Sequence, residues 1–188
     1  MGVEFHRLKD SVVWENREIL TQGGTPYTVF TPYSRAWKSR AVPAPLPSLP
    51  PAILSSTVLQ SDAVPLDPRI FGHGLNHHVT TGGEAEALKL WQSFLAGPIH
   101  QYEEQRNFPS INGTSKLSPH LRCGNIGIRR MVVDILKVRA ASNPMQAKNC
   151  DVFLSELIWR EFYTQILSNF PHCRSKPEHR IRAGNCGA

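Results

Sequence analysis

Ser155-Glu156-Leu157-Ile158-Trp159-Arg160-Glu161-Phe162-Tyr163 is the stretch whose reading decides the fold. At a period of 3.6 residues, Glu156, Trp159, Arg160 and Tyr163 stand at i, i+3, i+4 and i+7 and line one face of a helix. Leu154, Leu157, Ile158 and Phe162 fall on the other side as a core stripe. The periodicity predicts one long helix from about Asp151 to Phe170. Its polar face can be read in two ways. An acid, a guanidinium and two aromatics suit a flat π ligand close to an anion, because rings stack and arginine pairs with phosphate. The same residues also make an ordinary i,i+4 Glu–Arg pair flanked by packed aromatics.

Upstream, the helical pattern extends back over 81–172. Thr81-Gly-Gly-Glu84 has the form of a capping box. Ala87, Leu88, Trp91, Phe94 and Leu95 follow at helical spacing, and Gly97-Pro98 should break that helix, since proline has no N–H to donate. Ile99 and Tyr102 belong to a second short helix, on which Tyr102 and Arg106 stand four residues apart. Ser118-Pro119 offers an N-cap with proline at the first helical position. Ile128, Met131, Val132, Ile135 and Leu136 predict a further amphipathic helix ending before Asn143-Pro144. In Gly113-Thr114-Ser115-Lys116-Leu117-Ser118-Pro119, three hydroxyls and a lysine open a helix. That is either a clamp for the phosphates of a nucleotide-type cofactor or plain helix capping.

Further out, 41–80 is a connector. Between 41 and 68 it holds seven prolines, Pro43, Pro45, Pro47, Pro50, Pro51, Pro65 and Pro68, too many for helix or central strand. Residues 1–40 carry a β-rich run, Tyr27-Thr28-Val29-Phe30, which reads as strand material of an α/β unit too short to bury its own core. Residues 173–188 show no apolar period and read as an irregular tail.

Composition narrows the function classes. The 188 residues contain 21 Lys plus Arg against 15 Asp plus Glu, a net charge of +6, which favours an anionic partner. No apolar run approaches the ~20 residues of a membrane span, and no secretory signal precedes the first elements. Cys123, Cys150, Cys173 and Cys186 lack metal-site spacing and predict reduced thiols in a cytoplasmic protein. His73, His77 and His78 sit in a glycine-containing loop without further ligands, so no metal is expected.

The order of three segments resembles the DNA photolyase/cryptochrome family of flavoproteins: Tyr102-Glu-Glu-Gln-Arg106-Asn-Phe-Pro109, Gly113-Thr-Ser-Lys-Leu-Ser-Pro-His-Leu121 and Ser155 to Tyr163. Thr25 to Tyr33 with Ala36-Trp37 resembles the end of that family's N-terminal α/β domain, and the proline-rich stretch resembles its interdomain connector. The resemblance implies a mainly α fold. Residues 81–172 would be the first part of the helical FAD-binding domain, and 1–40 a remnant of the Rossmann-like antenna domain. It implies that Tyr102, Thr114, Ser115, Lys116, Leu117, Ser118 and Phe153 contact FAD. It places Arg106 and the run Glu156, Leu157, Ile158, Trp159, Arg160, Glu161, Phe162 and Tyr163 on DNA, with Glu156 and Trp159 in the lesion pocket. The implied reaction is light-driven splitting of a cyclobutane pyrimidine dimer flipped out of ultraviolet-damaged DNA, by an electron from excited reduced flavin. Glu156 with Trp159 is more similar to the class I cyclobutane-dimer photolyases than to cryptochromes, the alternative being a blue-light receptor that binds FAD without repair. A second antenna chromophore and a monomeric state are implied as well.

The sequence departs from the family pattern at Phe153, where many members have tryptophan, and at Gly127, where a small hydroxyl residue is usual. It also carries only part of the family's two domains. The expectation is therefore an incomplete, inactive chain in which Trp91, Phe94, Leu157 and Phe162, lacking partner helices, form exposed apolar patches.

Overall fold

Every regular element of the described residues is helical; a computed structural model describes residues 5, 9, 11–45 and 81–174. In chain order the helices are α1 (Phe30–Lys38), α2 (Glu84–Ala96), a 3₁₀ turn (Pro98–Gln101), α3 (Tyr102–Gln105), α4 (Ser118–Arg122), α5 (Ile128–Ala140), α6 (Pro144–Asn169) and a final 3₁₀ turn (Pro171–Arg174). The mainly α reading holds. The part of the connector from 46 to 80, with His73, His77 and His78, and the tail from 175 lie outside the described residues.

α6 is the axis of the fold. It begins earlier than the periodicity predicts, because Asn143 and Gln146 form a reciprocal capping box with Pro144 in the first turn. The Asn143 side chain accepts from the Gln146 N–H at 3.0 Å, and the Gln146 side chain accepts from the Asn143 N–H at 3.4 Å. α5, α3, the first 3₁₀ turn and α1 all pack on α6. Leu154, Leu157, Ile158 and Phe162 are buried as expected. Each such side chain contributes about 1.5–3 kcal/mol on burial.

Three local expectations need correction. Tyr27 to Phe30 is not a strand: α1 starts at Phe30, and the pairing nearby is a single bridge between Leu20 and Pro26. Thr31-Pro32 falls in the first turn, where the missing proline N–H costs nothing. Thr81 does not cap α2; the N-cap is Gly83, at φ 96°, a left-handed geometry that suits glycine. Ser118 is itself the first residue of α4, behind an N-cap at Leu117, and no side chain caps it. Gly97-Pro98 does end α2, and Gly127 does leave α5 without a side-chain cap.

The expected apolar patches are absent: Trp91, Phe94, Leu157 and Phe162 are all buried. Trp91 and Phe94 close on Phe153, at ring-centroid distances of 6.0 and 4.6 Å. Phe162 is covered by Phe30 and Tyr33 of α1, at 5.8 and 5.2 Å. The N-terminal segment contributes to the same cover. Val13, Trp14, Ile19, Tyr33 and Trp37 join the same core as α2, α5 and α6.

Candidate cofactor and nucleic-acid site

Gly113 opens the loop that the sequence singles out, and it lies against the end of α3. A Cβ at 113 would overlap the Gln105 side chain and come within 3.1 Å of the Gln105 backbone. Only glycine lets the chain approach so closely. Lys116 then adopts φ 54°, a left-handed conformation uncommon for a residue with a side chain, while the Leu117 N–H reaches Ser115 Oγ at 3.4 Å and the Leu117 side chain plugs into the core. The result leaves Thr114, Lys116 and Ser118 exposed and Ser115 half-exposed along one rim.

That rim faces α6 across an open cleft of about 690 Å³. The loop side is Thr114, Ser115, Lys116 and Ser118, continued by Leu121 and Arg122 of α4. Tyr102 of α3 also lines it, and α6 supplies Phe153, Glu156, Leu157, Arg160 and Thr164. Three stretches separated in the sequence thus converge on one cavity. Tyr102 meets Phe153 edge-on, at 5.0 Å and 86°, so the cleft has an aromatic floor and a hydroxyl- and lysine-lined wall.

Tyr102 is held through a residue that sequence reasoning missed. Asn149, buried on α6, accepts from the Glu103 N–H at 2.8 Å and donates to the Met145 carbonyl at 3.0 Å. It satisfies an orphan donor of the first turn of α3 and ties that turn to α6. Arg122 and Thr164 were also missed. Thr164 was findable, being one turn beyond Arg160 on the same stripe; Asn149 lies in the turns of α6 that the predicted boundary omitted.

The polar face expected on α6 resolves into two neighbouring stripes, roughly 60° apart on the helix. Glu156 and Arg160 face the cleft. Trp159 and Tyr163 do not line it; they stack on each other at 5.5 Å and 24°. Phe30 lies flat on Trp159 at 3.6 Å and 7°. The i,i+4 pair of Glu156 with Arg160 is replaced by other partners. Glu156 forms an ion pair with Arg106, whose guanidinium also stands 5.8 Å from the Tyr102 ring centroid. Arg160 donates to the Ser11 carbonyl at 2.6 Å.

The run 156–163 therefore offers a ligand fewer groups than the expected block of eight. Leu157, Ile158, Glu161 and Phe162 are buried, Leu157 alone of them touching the cleft; Glu156, Trp159 and Arg160 are half-buried and Tyr163 is exposed. Glu161, 2 % exposed, is an acceptor inside the core. Its Oε2 receives the Val13 N–H at 2.7 Å. Its Oε1 receives the Trp37 indole N–H at 2.8 Å, the Tyr33 hydroxyl at 3.1 Å and the Trp14 N–H at 3.3 Å.

The electrostatics follow from this arrangement. Burial, and then the Glu156 carboxylate, push the Tyr102 phenol above its usual range. Burial works against the Arg106 guanidinium, but its hydrogen bond and proximity to Glu156 hold its pKa above the ordinary value. Burial raises the Glu161 carboxyl, with the four donors pulling the other way. Among the described residues no group of three or more His, Cys, Asp or Glu could hold a metal ion, and no helix is long and apolar enough to cross a membrane.

The DNA photolyase family model matches residues 1–52. A deoxyribodipyrimidine photo-lyase of Halobacterium salinarum is 35% identical over 171 residues, covering 88% of this chain and 35% of the relative. One from Alkalihalophilus pseudofirmus is 31% identical over 179 residues, covering 93% of this chain and 36% of the relative. Among solved structures, a bacterial class III photolyase from Agrobacterium tumefaciens superposes with a TM-score of 0.67 at 26% identity, over 89% of this chain and 35% of that one. The chain thus spans a little over a third of the length of these relatives. The N-terminal match, the identity that runs on through the helices and the shared fold agree with the motif order: over most of its length the chain is similar to DNA photolyases.

Proposed function

We propose that this chain serves light-dependent repair of cyclobutane pyrimidine dimers in ultraviolet-damaged DNA, and that the cleft between the 114–118 loop and α6 is its FAD site. The observation that carries the reading is the convergence of Tyr102, Thr114, Ser115, Lys116, Ser118 and Phe153 on one cavity. The donor set suits the ligand. Hydroxyls and the Lys116 ammonium complement a pyrophosphate, and the floor of Phe153 and Tyr102 suits an aromatic ring system. α4 has five residues, so the anion argument rests on these side chains and the loop backbone. Bound FAD supplies the photochemistry.

The chain's own residues bind, orient and shield. Lys116 and Ser118 hold the phosphates, and Tyr102 and Phe153 fix the ring plane. Leu117 does its part from the core, by anchoring the loop. Glu156 sits where the cleft opens and, with Arg106, presents a charged pair to DNA. Arg106, Arg160 and the half-buried Trp159 form the nucleic-acid side, with Tyr163 beside them. In this reading the buried Ile158, Glu161 and Phe162 support that surface from behind.

Membership of the class I branch, an antenna chromophore, a monomeric state and a cytoplasmic location belong to the same proposal. So does low activity of these 188 residues by themselves. The test is a blue-light assay on a thymine-dimer oligonucleotide, run with the chain and with a full-length relative whose matching segment it replaces. The reading requires the replaced protein to remove dimers in light and not in darkness. A protein that binds FAD but leaves dimers intact in light overturns it in favour of a photoreceptor.

A further inference from the structure

We propose that Glu161 is a positioning residue for Trp159, acting through α1. The inference rests on the reading above in taking Trp159 as a wall of the lesion pocket. Glu161 and Trp159 are two residues apart on α6, and both engage the same helix of the N-terminal segment. All four donors to the Glu161 carboxylate come from residues 13–37. Tyr33 and Trp37 stand three and seven residues after Phe30, one and two turns further along the α1 face that meets α6. The carboxylate therefore fixes the helix that carries Phe30.

Phe30 in turn fixes Trp159. The two rings are nearly parallel, 7° apart with centroids at 3.6 Å, close enough that a small displacement of α1 tilts or uncovers the indole. Tyr163 also stacks on Trp159, but at 5.5 Å and from a side chain that is mostly exposed. Of the two stacking partners, Phe30 is held by a buried network and Tyr163 by nothing comparable. A flat base entering this place displaces Tyr163, while Phe30 keeps the indole in plane. A core carboxylate with no cleft contact thus sets the geometry of a ring that recognises DNA.

The experiment uses the whole chain labelled with 5-fluorotryptophan. The Trp159 resonance is assigned by its loss in Trp159→Phe, and Trp91 reports that the core is intact. Preference for a thymine-dimer oligonucleotide over the undamaged one is measured in parallel. Glu161→Ala is expected to move the Trp159 resonance and to lower the preference by about fivefold, the scale of one lost stacking contact; Glu161→Gln, which keeps an acceptor, is expected to restore part of both. Should Glu161→Ala lose the Trp91 signal, Trp37→Phe removes a single donor and must still move Trp159, and Phe30→Leu must lower the preference with the Glu161 network in place. A Trp159 resonance unmoved in Trp37→Phe and Glu161→Gln overturns the proposal, as does a moved resonance with unchanged preference. If Trp159→Ala itself leaves the preference intact, the lesion-pocket reading fails, and the coupling stands or falls on the fluorine shift.

Discussion

Arg106 and Glu156, 50 residues apart, form an ion pair beside the cleft that Glu156 lines, with the arginine also set against the Tyr102 ring. Both partners are roughly one-third to two-fifths exposed, so the pair itself adds only about 0.2–1 kcal/mol. Its consequence is electrostatic. It opposes two charges beside the Tyr102 phenol, one raising and one lowering its pKa. Glu156→Gln should therefore bring the Tyr102 ionisation downward, though not to the ordinary value, because burial is the larger cause. Arg106→Ala should drive it further up. Phenolate absorbance during alkaline titration, with Tyr102→Phe as the reference, reads both; shifts of the same sign contradict the geometry.

Gly113 is the loop position least able to change. Gly113→Ala forces a methyl into the Gln105 side chain and should cost about 1–3 kcal/mol, the usual range for overpacking. Urea unfolding measures it. Gln105→Gly in the same chain should recover part of the loss, because the atom the new methyl meets first is the Gln105 Cβ. A neutral Gly113→Ala would mean that the loop stands off α3.

Glu161 gives the fold a pH dependence with a definite sign. Burial raises its carboxyl pKa above the unfolded value, so the folded state holds the proton up to a higher pH. Its contribution to stability is greatest below the ordinary carboxylate range. It falls as pH rises from there to the folded pKa, and is level above. Comparing the parent with Glu161→Gln by urea unfolding across that window isolates the effect. The parent should lose stability relative to the variant as pH rises; a relative gain shows that the four donors outweigh burial.

Much of this architecture is legible in the sequence because α6 carries a strong helical period with its core stripe, and because Gly97-Pro98 and Asn143-Pro144 punctuate the chain. The cleft is legible at the loop and at Tyr102, where residue types suggest their chemistry, whereas Phe153 is singled out only by the family resemblance. Tertiary placement is not. Nothing local in Glu161 tells that it faces four donors from residues 13–37 rather than solvent. Nothing in Trp159 tells that Phe30 covers it. Tyr27 to Phe30 has strand composition, yet with no partner strand among the described residues α1 starts at Phe30 and packs on α6 instead, a case of tertiary context overriding propensity. The apolar residues expected at the surface are buried by tertiary contacts as well: Trp91 and Phe94 close on Phe153, and α1 covers Phe162.

FAD held by the 114–118 wall of the cleft, as proposed, is open to a direct test. Titrating FAD into the ¹⁵N-labelled chain and following backbone amide shifts tests it residue by residue, even where binding is weak. The account predicts saturable shifts at Thr114, Ser115, Lys116 and Ser118, together with Tyr102 and Phe153, and their loss in Lys116→Ala with Ser118→Ala. Shifts confined to other parts of the chain, or none at those six residues, contradict it.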